Sequence, residues 1–543
     1  MTLNVPLTVR VGDRHITRQL KDLSFRKEAV GGVQSITLGL SARLDSMAVN
    51  PLDRVYVYDA RTAEVVAEGR VADPGRTADA DGQTWTMTAF GPAQHASDLI
   101  QPLIYVDQSI SDGWRRANRL ANVSGEIDQT SKPGSSSDSA PECIVCRWPR
   151  NSYAPGQAAL TMRYERLQQS GQKLARYSLS WDGGRSDSDY RVQIIPLTDG
   201  TTGSASLNAA LGNTVSAVTG VVVTDWTNGR NTLDVSLLCN NASGTGAQQT
   251  DDRCWVAFYY PILRAMLLDQ TGADITTGYS ADYVLAHEVV TDVLARVLTQ
   301  FDAAGASIAT TGTYQIDQLA YPDGVSAAEL LDDVMELEPG YYWTTGPSNS
   351  SGLYAFAWQE WPTSVRYEAT LEDGGDFPVS TQELYNQVTV RWVNRKGSRR
   401  TTLRTGSCPI LDAQGIIRRA SIDVADELGS SNAAVRIGDN FLAEHQYPAN
   451  AGTLTIARPI RDLSTGRMVE PHEIEPAELI RVRGVESYPD SLNASSSDGQ
   501  SVFRVWALNY TADSHSAQLE LDTYPRTTAA ALARLHRRRR RKR

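Results

Sequence analysis

Pro51-Leu-Asp-Arg-Val-Tyr-Val-Tyr58 has a counterpart near the other end of the chain, Pro476-Ala-Glu-Leu-Ile-Arg-Val-Arg483. With the prolines aligned, Asp53 meets Glu478, Val55 meets Ile480 and Val57 meets Val482. Both stretches alternate apolar and polar residues with period two, the pattern of a strand with one buried face. Trp85-Thr-Met-Thr-Ala-Phe90 and Phe503-Arg-Val-Trp-Ala-Leu508 also correspond loosely as aromatic-rich strands. A small β-unit built at both ends, with other material between, suits a scaffold better than a single catalytic cleft. The competing explanation is that any two β-meanders share such a pattern.

Around this pair the chain divides by composition. Residues 1–106 read as closely spaced strands without helices: Leu7–Arg10, Ile36–Leu40, Arg54–Tyr58, Val65–Val71 and Thr84–Thr88. Asp81-Gly82 is a hairpin signal, because Gly accepts the positive φ of such turns, and the expected form is a β-barrel. Residues 107–268 carry strands separated by long polar loops, the pattern of an inserted jelly-roll-like β-sandwich. Residues 269–375 are α+β. Tyr283, Ala286, Val290, Val293, Val297 and Phe301 form a helical stripe over Ser280–Phe301. Ser326-Ala-Ala-Glu329 is a capping box, and Tyr341–Thr344 with Leu353–Trp358 form a hairpin. Residues 376–527 return to β-structure with one helix near Asn432–His445, the expected second barrel. Residues 528–543 are a basic tail. The expected fold is therefore mainly β with a small α+β part.

With 543 residues the chain exceeds one core, and 41% hydrophobic and 21% charged residues are ordinary for a folded protein. The net charge of −11 argues against a general nucleic-acid binder. No apolar run of membrane-spanning length occurs. Met1–Leu7 lacks the features of a signal peptide, so the expectation is synthesis in the cytoplasm, with any exit by a signal-independent route.

Chemistry-bearing motifs are sparse. Phosphate-loop, zincin, EF-hand and nucleophile-elbow patterns are missing, and no cofactor is expected. His287-Glu288 lies beside the helical stripe, where packing or surface outweighs ligation. Glu372, Asp373 and Asp376 flank a Gly-Gly turn and have no identifiable partner for a glycosidase dyad. Cys143, Cys146, Cys239 and Cys254 leave zinc, a disulfide and unlinked thiols all open, while Cys408 reads as structural. Trp181, Tyr190, Trp226 and Trp255 are candidates to stack on sugar rings, against core packing as the plainer role. Arg537, Arg538, Arg539, Arg540, Arg541, Lys542 and Arg543 close the chain. They suit an acidic partner surface or a solvated end better than nucleic acid.

Pro51–Tyr58 with Gly69-Arg-Val71, Asp81–Trp85 and Tyr105–Gln108 resembles minor tail proteins of phages infecting actinobacteria. Gly278–Leu285, Glu383–Val388 and Gln518–Asp522 share the resemblance. It covers most of the chain through diffuse patterns. It implies the baseplate hub of long-tailed phages, a non-enzymatic virion protein at the tail tip. In that fold two related β-barrels per subunit let a homotrimer match the hexameric tail tube. Implied partners are the distal tail protein, the tape-measure protein and other tip proteins, with host glycan as a partner of the inserted sandwich. Two rivals remain: a host-receptor-binding tail protein, and a cell-wall glycoside hydrolase with a binding module.

Overall fold

The computed structural model describes residues 6–40, 49–79, 82–107, 283–310, 314–371, 374–393, 399–450, 452–486 and 500–522. Between 114 and 266 it describes the strand segments 114–119, 124–128, 143–149, 158–164, 175–185, 191–198, 201–202, 205–207, 218–226, 232–238 and 253–266.

The main strands that open the chain are β1 (Leu7–Val11), β2 (Leu20–Glu28), β3 (Gly32–Leu40), β4 (Arg54–Asp59), β5 (Val65–Asp79) and β6 (Gly82–Phe90), with the short strand Arg14–His15 on the outer edge of β1. Their sheet order is β1-β4-β5-β6-β3-β2. β7 (Ile100–Asp107) leads into the inserted segment and β8 (Arg253–Met266) leads out. The insertion forms two stacks of antiparallel strands, one of which continues through β8 and β7 into the next part of the chain.

That part holds α1 (Ala286–Arg296), β9 (Leu319–Ser326), α2 (Ala327–Leu337) and the hairpin β10 (Tyr341–Ser348) with β11 (Tyr354–Glu360). The Ser326 hydroxyl accepts the Glu329 N–H (3.3 Å), so the N-cap is where the sequence puts it. The helix expected over Ser280–Phe301 is shorter. It ends at Arg296, and Val297 and Phe301 stay buried as loop residues, Phe301 bridging to Tyr354.

The chain continues through β12 (Val365–Thr370), β13 (Gly375–Asp376), β14 (Val379–Ser380), β15 (Gln387–Val393), β16 (Arg399–Thr405) and β17 (Arg419–Asp423). After α3 (Ser431–Glu444) come β18 (Ala449–Asn450), β19 (Gly452–Ile456), β20 (Leu479–Glu486), β21 (Gln500–Thr511) and β22 (Ser516–Asp522). β15–β17 and α3 bury Val388, Val390, Ala433 and Ile437 in the same core as the helices and the aromatic hairpin.

Among the described residues the strands form no closed barrel. The strands of both ends join in one sheet through an antiparallel β2–β21 pair, and its strand order is an open path. Because the two ends share this joint, neither closes on itself. They share a core as well: Leu38, Val55, Val57, Val71 and Met87 lie in one cluster with Leu454, Ile480, Val482, Val505 and Leu519. The fold is mainly β, in several sheets.

Candidate assembly interface

The repeat is structural and larger than its sequence trace. β5 pairs with β4 (Val55↔Gly69) and β21 with β20 (Ile480↔Phe503). On its other side β5 pairs with β6 (Val71↔Ala89), and β21 with β22 (Val505↔Leu521). A register shift follows at once in both, between Val71 and Asp73 and between Val505 and Ala507. β3 then pairs with β6 (Thr37↔Thr88) as β19 does with β22 (Thr453↔Glu520). Finally β2 pairs with β3 (Ser24↔Thr37) as β13 does with β19 (Asp376↔Thr453). Five strands thus recur in the same order, direction and bulge position. The counterpart of Phe503–Leu508 is therefore β5 from Gly69 onward, which corrects the expected match with Trp85–Phe90.

Each copy starts with the same turn. After Pro51, Leu52 has φ +68° and donates to Val71 O (2.8 Å), while Val71 N donates to Asp53 O (2.9 Å). After Pro476, Ala477 has φ +74° and donates to Val505 O (2.7 Å), while Val505 N donates to Glu478 O (2.9 Å). Proline presets the first corner of a turn whose second corner needs positive φ.

Polar groups tie the modules together. Across β2–β21, Phe25 stacks on Tyr510 at 5.0 Å. Arg26 donates to Asn509 (2.8 Å) and Glu520 (2.6 Å). Burial disfavours the Arg26 charge, but Glu520 and Glu28 outweigh it and raise the guanidinium pKa. Lys27, 4% exposed, pairs with Glu475 at 2.8 Å. At the far corner, the Asp59 carboxylate accepts the Arg61 and Thr62 N–H groups and His472 Nε2 (2.9 Å). An ionised carboxylate only accepts, so Nε2 carries the proton. Burial holds the His472 pKa below its ordinary value against the pull of Asp59. Burial would raise the Asp59 pKa, but His472 and the two backbone donors bring it below the usual carboxylate value. Arg61 pairs with Glu473 (2.9 Å), and His515 bridges Glu470 and Tyr510.

Equivalent arginines dock each module on the intervening part. Arg70 Nε donates to the Tyr354 hydroxyl (3.3 Å) and its Nη2 to Gln300 (3.1 Å). Arg504 donates to Ala477 O (2.6 Å) and Pro362 O (3.1 Å) and lies over the Trp361 ring at 4.7 Å.

The modules differ at one edge. Beyond its bulge, β21 exchanges β20 for β2 as its neighbour. Beyond the equivalent bulge, residues 73–79 of β5 pair with β6 alone among the described residues. The outer edge of β13, equivalent to β2, is likewise unpaired among them. A third exposed surface is the outer face of the β16-β15-β17 sheet, with Arg391, Arg399, Arg419 and a half-exposed Leu403.

Among the described residues, those singled out for chemistry are not gathered into one site. Trp181, Trp226 and Trp255 lie on strands 175–185, 218–226 and β8 of one sheet, where Trp181 is opposite Gly220 and Trp226 opposite Ala175. Trp181 thus stands six residues along the sheet from Trp226, roughly 20 Å at ~3.3 Å per residue, so these two do not share one sugar subsite. Tyr190, Cys239, Glu372, Asp373 and the tail residues Arg537–Arg543 lie outside the described residues. Cys143, Cys146 and Cys254 are placed only as strand positions, with Cys254 opposite Trp148. Asp376 is exposed on β13, and Cys408 is buried as a free thiol. His287 is half-buried on α1, and the Glu288 carboxylate accepts the Leu285 N–H (2.9 Å), a helix-capping role. Among the described residues no group of three His, Cys, Asp or Glu is arranged to hold a metal. No described helix is long and apolar enough to cross a membrane.

No protein-family model matches the chain, and no curated relative matches it in sequence. Among solved structures, a tail protein from Neisseria meningitidis aligns with 96% of this chain and 98% of its own, at TM-score 0.44 and 8% identity. A 43 kDa tail protein of prophage MuSo2 from Shewanella oneidensis aligns with 95% and 97%, at TM-score 0.42 and 9% identity. A family 35 carbohydrate-binding module from Clostridium thermocellum aligns with 30% of this chain and 96% of its own, at TM-score 0.18 and 11% identity. The chain is thus similar to the two tail proteins over nearly its whole length, and to the binding module over less than a third.

Proposed function

We propose that the protein is a non-enzymatic structural component of a phage tail, a hub in which three copies close a ring of six equivalent β-modules. The tail role is the one carried by the two proteins this chain matches end to end. What supports a ring is the chain's own duplication, two five-stranded modules with the same order, register and bulge. A trimer of such a chain presents six like surfaces to a six-subunit tube, with the distal tail, tape-measure and other tip proteins as neighbours. Sizing of the purified chain by mass photometry tests it. The expected species is three times the 59.3 kDa chain mass; a monomer at every concentration overturns it.

The inserted strands supply a second role, contact with host-surface glycan. They leave and re-enter the body side by side, Asp107 opposite Leu263, as an appendage does. Retention of the full chain on host cell wall, lost on removal of the insertion, is the expected result.

A further inference from the structure

We infer that successive copies join by strand pairing between the β13–β14 edge of one and residues 73–79 of β5 in the next. This names the partner surface of the proposed ring and rests on that reading. The protein already contains one specimen of the joint. β2 of the first module lies against the second half of β21 in the second, with Ser24↔Thr511, Phe25↔Tyr510, Arg26↔Asn509, Lys27↔Leu508 and Glu28↔Ala507. β13 and β14 occupy in the second module the place of β2, and β5 occupies in the first the place of β21. Both of these edges are unpaired among the described residues, and they are the two halves of the same joint. A head-to-tail contact of this kind makes rings when its rotation closes, and covering both edges removes a hazard that an isolated chain carries.

Carrying the register across puts Asp376 opposite Thr77, Phe377 opposite Arg76, Pro378 opposite Gly75 and Val379 opposite Pro74. Inside the chain, Ala512 N donates to Leu23 O (2.8 Å) and Ala29 N to Trp506 O (2.8 Å) at the two ends of the joint. Their counterparts are Ala78 N to Gly375 O and Thr381 N to Ala72 O. Pro74 stands where Leu508 does and has no N–H, so the joint between copies has one donor fewer than the joint within a chain. The surroundings leave room: Ala72, Gly375, Asp376 and Pro378 are exposed.

The test is cysteine cross-linking of the full-length chain. Thr77→Cys with Asp376→Cys should give dimers and trimers on mild oxidation, reversed by reductant, because directly opposed strand residues lie within about 5.5 Å between Cα atoms. Each single variant, and Asp376→Cys paired with Asp79→Cys two positions out of register, should give at least tenfold less. Hydrogen exchange on the unsubstituted protein is the second measurement, with the amides of 75–79 and 376–381 expected to slow on assembly. A trimer by mass whose double variant does not cross-link and whose amides do not slow overturns the joint and leaves the ring reading standing. A chain that never assembles overturns both.

Discussion

His472 is wholly buried against Asp59, which is 2% exposed, and this pair latches the end of β4 to the segment before β20. The groups facing it are Arg61, Glu470, Glu473, His515 and Tyr510. Its pH response has one sign. A histidine whose folded pKa lies below 6.5 binds fewer protons folded than unfolded, so its contribution is lost as pH falls from about 6.5 downward. Asp59, with its pKa below the usual carboxylate value, loses its contribution further into acid. Urea midpoints should therefore fall between pH 7 and pH 5, and His472→Gln should flatten that slope while costing on the order of 2 kcal/mol at pH 7. At the two repeat turns, Leu52 and Ala477 hold φ of +68° and +74°, where a side chain costs about 1 kcal/mol. Leu52→Gly should raise the urea midpoint, since glycine removes that strain, whereas Gly at neighbouring Asp53 should lower it. Little of this was legible in the sequence. Pro51 and Pro476 mark the turns, but nothing local to Asp59 names a partner 413 positions away.

At the scale of elements, signals carried by a few neighbouring residues read correctly. The Ser326 cap, the Tyr341–Trp358 hairpin and the helix near Asn432–His445 all stand where spacing puts them. Ser326→Ala should cost about 1 kcal/mol in chemical denaturation by removing the acceptor for Glu329 N–H. The α1 stripe overran because Val297 and Phe301 are buried by tertiary packing after the helix has ended, and burial alone cannot separate the two cases. The match of Trp85–Phe90 to Phe503–Leu508 failed for a similar reason. β5, the actual counterpart, carries no aromatic residue, so composition points to the wrong strand, whereas equivalence is set by pairing partners, which are long-range.

For the whole molecule, the mainly β character and the duplication were legible, and the open sheet that joins the two ends in place of the expected barrels was not. Period-two patterning fixes which face of a strand is buried without saying which strand lies beside it. The insertion is hung on two adjacent antiparallel strands, with Asp107 opposite Leu263. Replacing residues 108–262 with a two-residue Asn-Gly turn should therefore leave a folded body of unchanged oligomeric state by mass photometry. Loss of the body's cooperative unfolding would show that the insertion is part of its core.

Ser24 finds its partner at Thr511, so a strand made almost first is completed by one made almost last. At ~5–20 residues per second a ribosome takes roughly 25–100 s to cover that distance. Throughout that interval the nascent chain carries a ready β2 edge with nothing to cap it. Chains stopped short of β21 should be the ones that clump, and a chaperone bound during synthesis should be found on the first module.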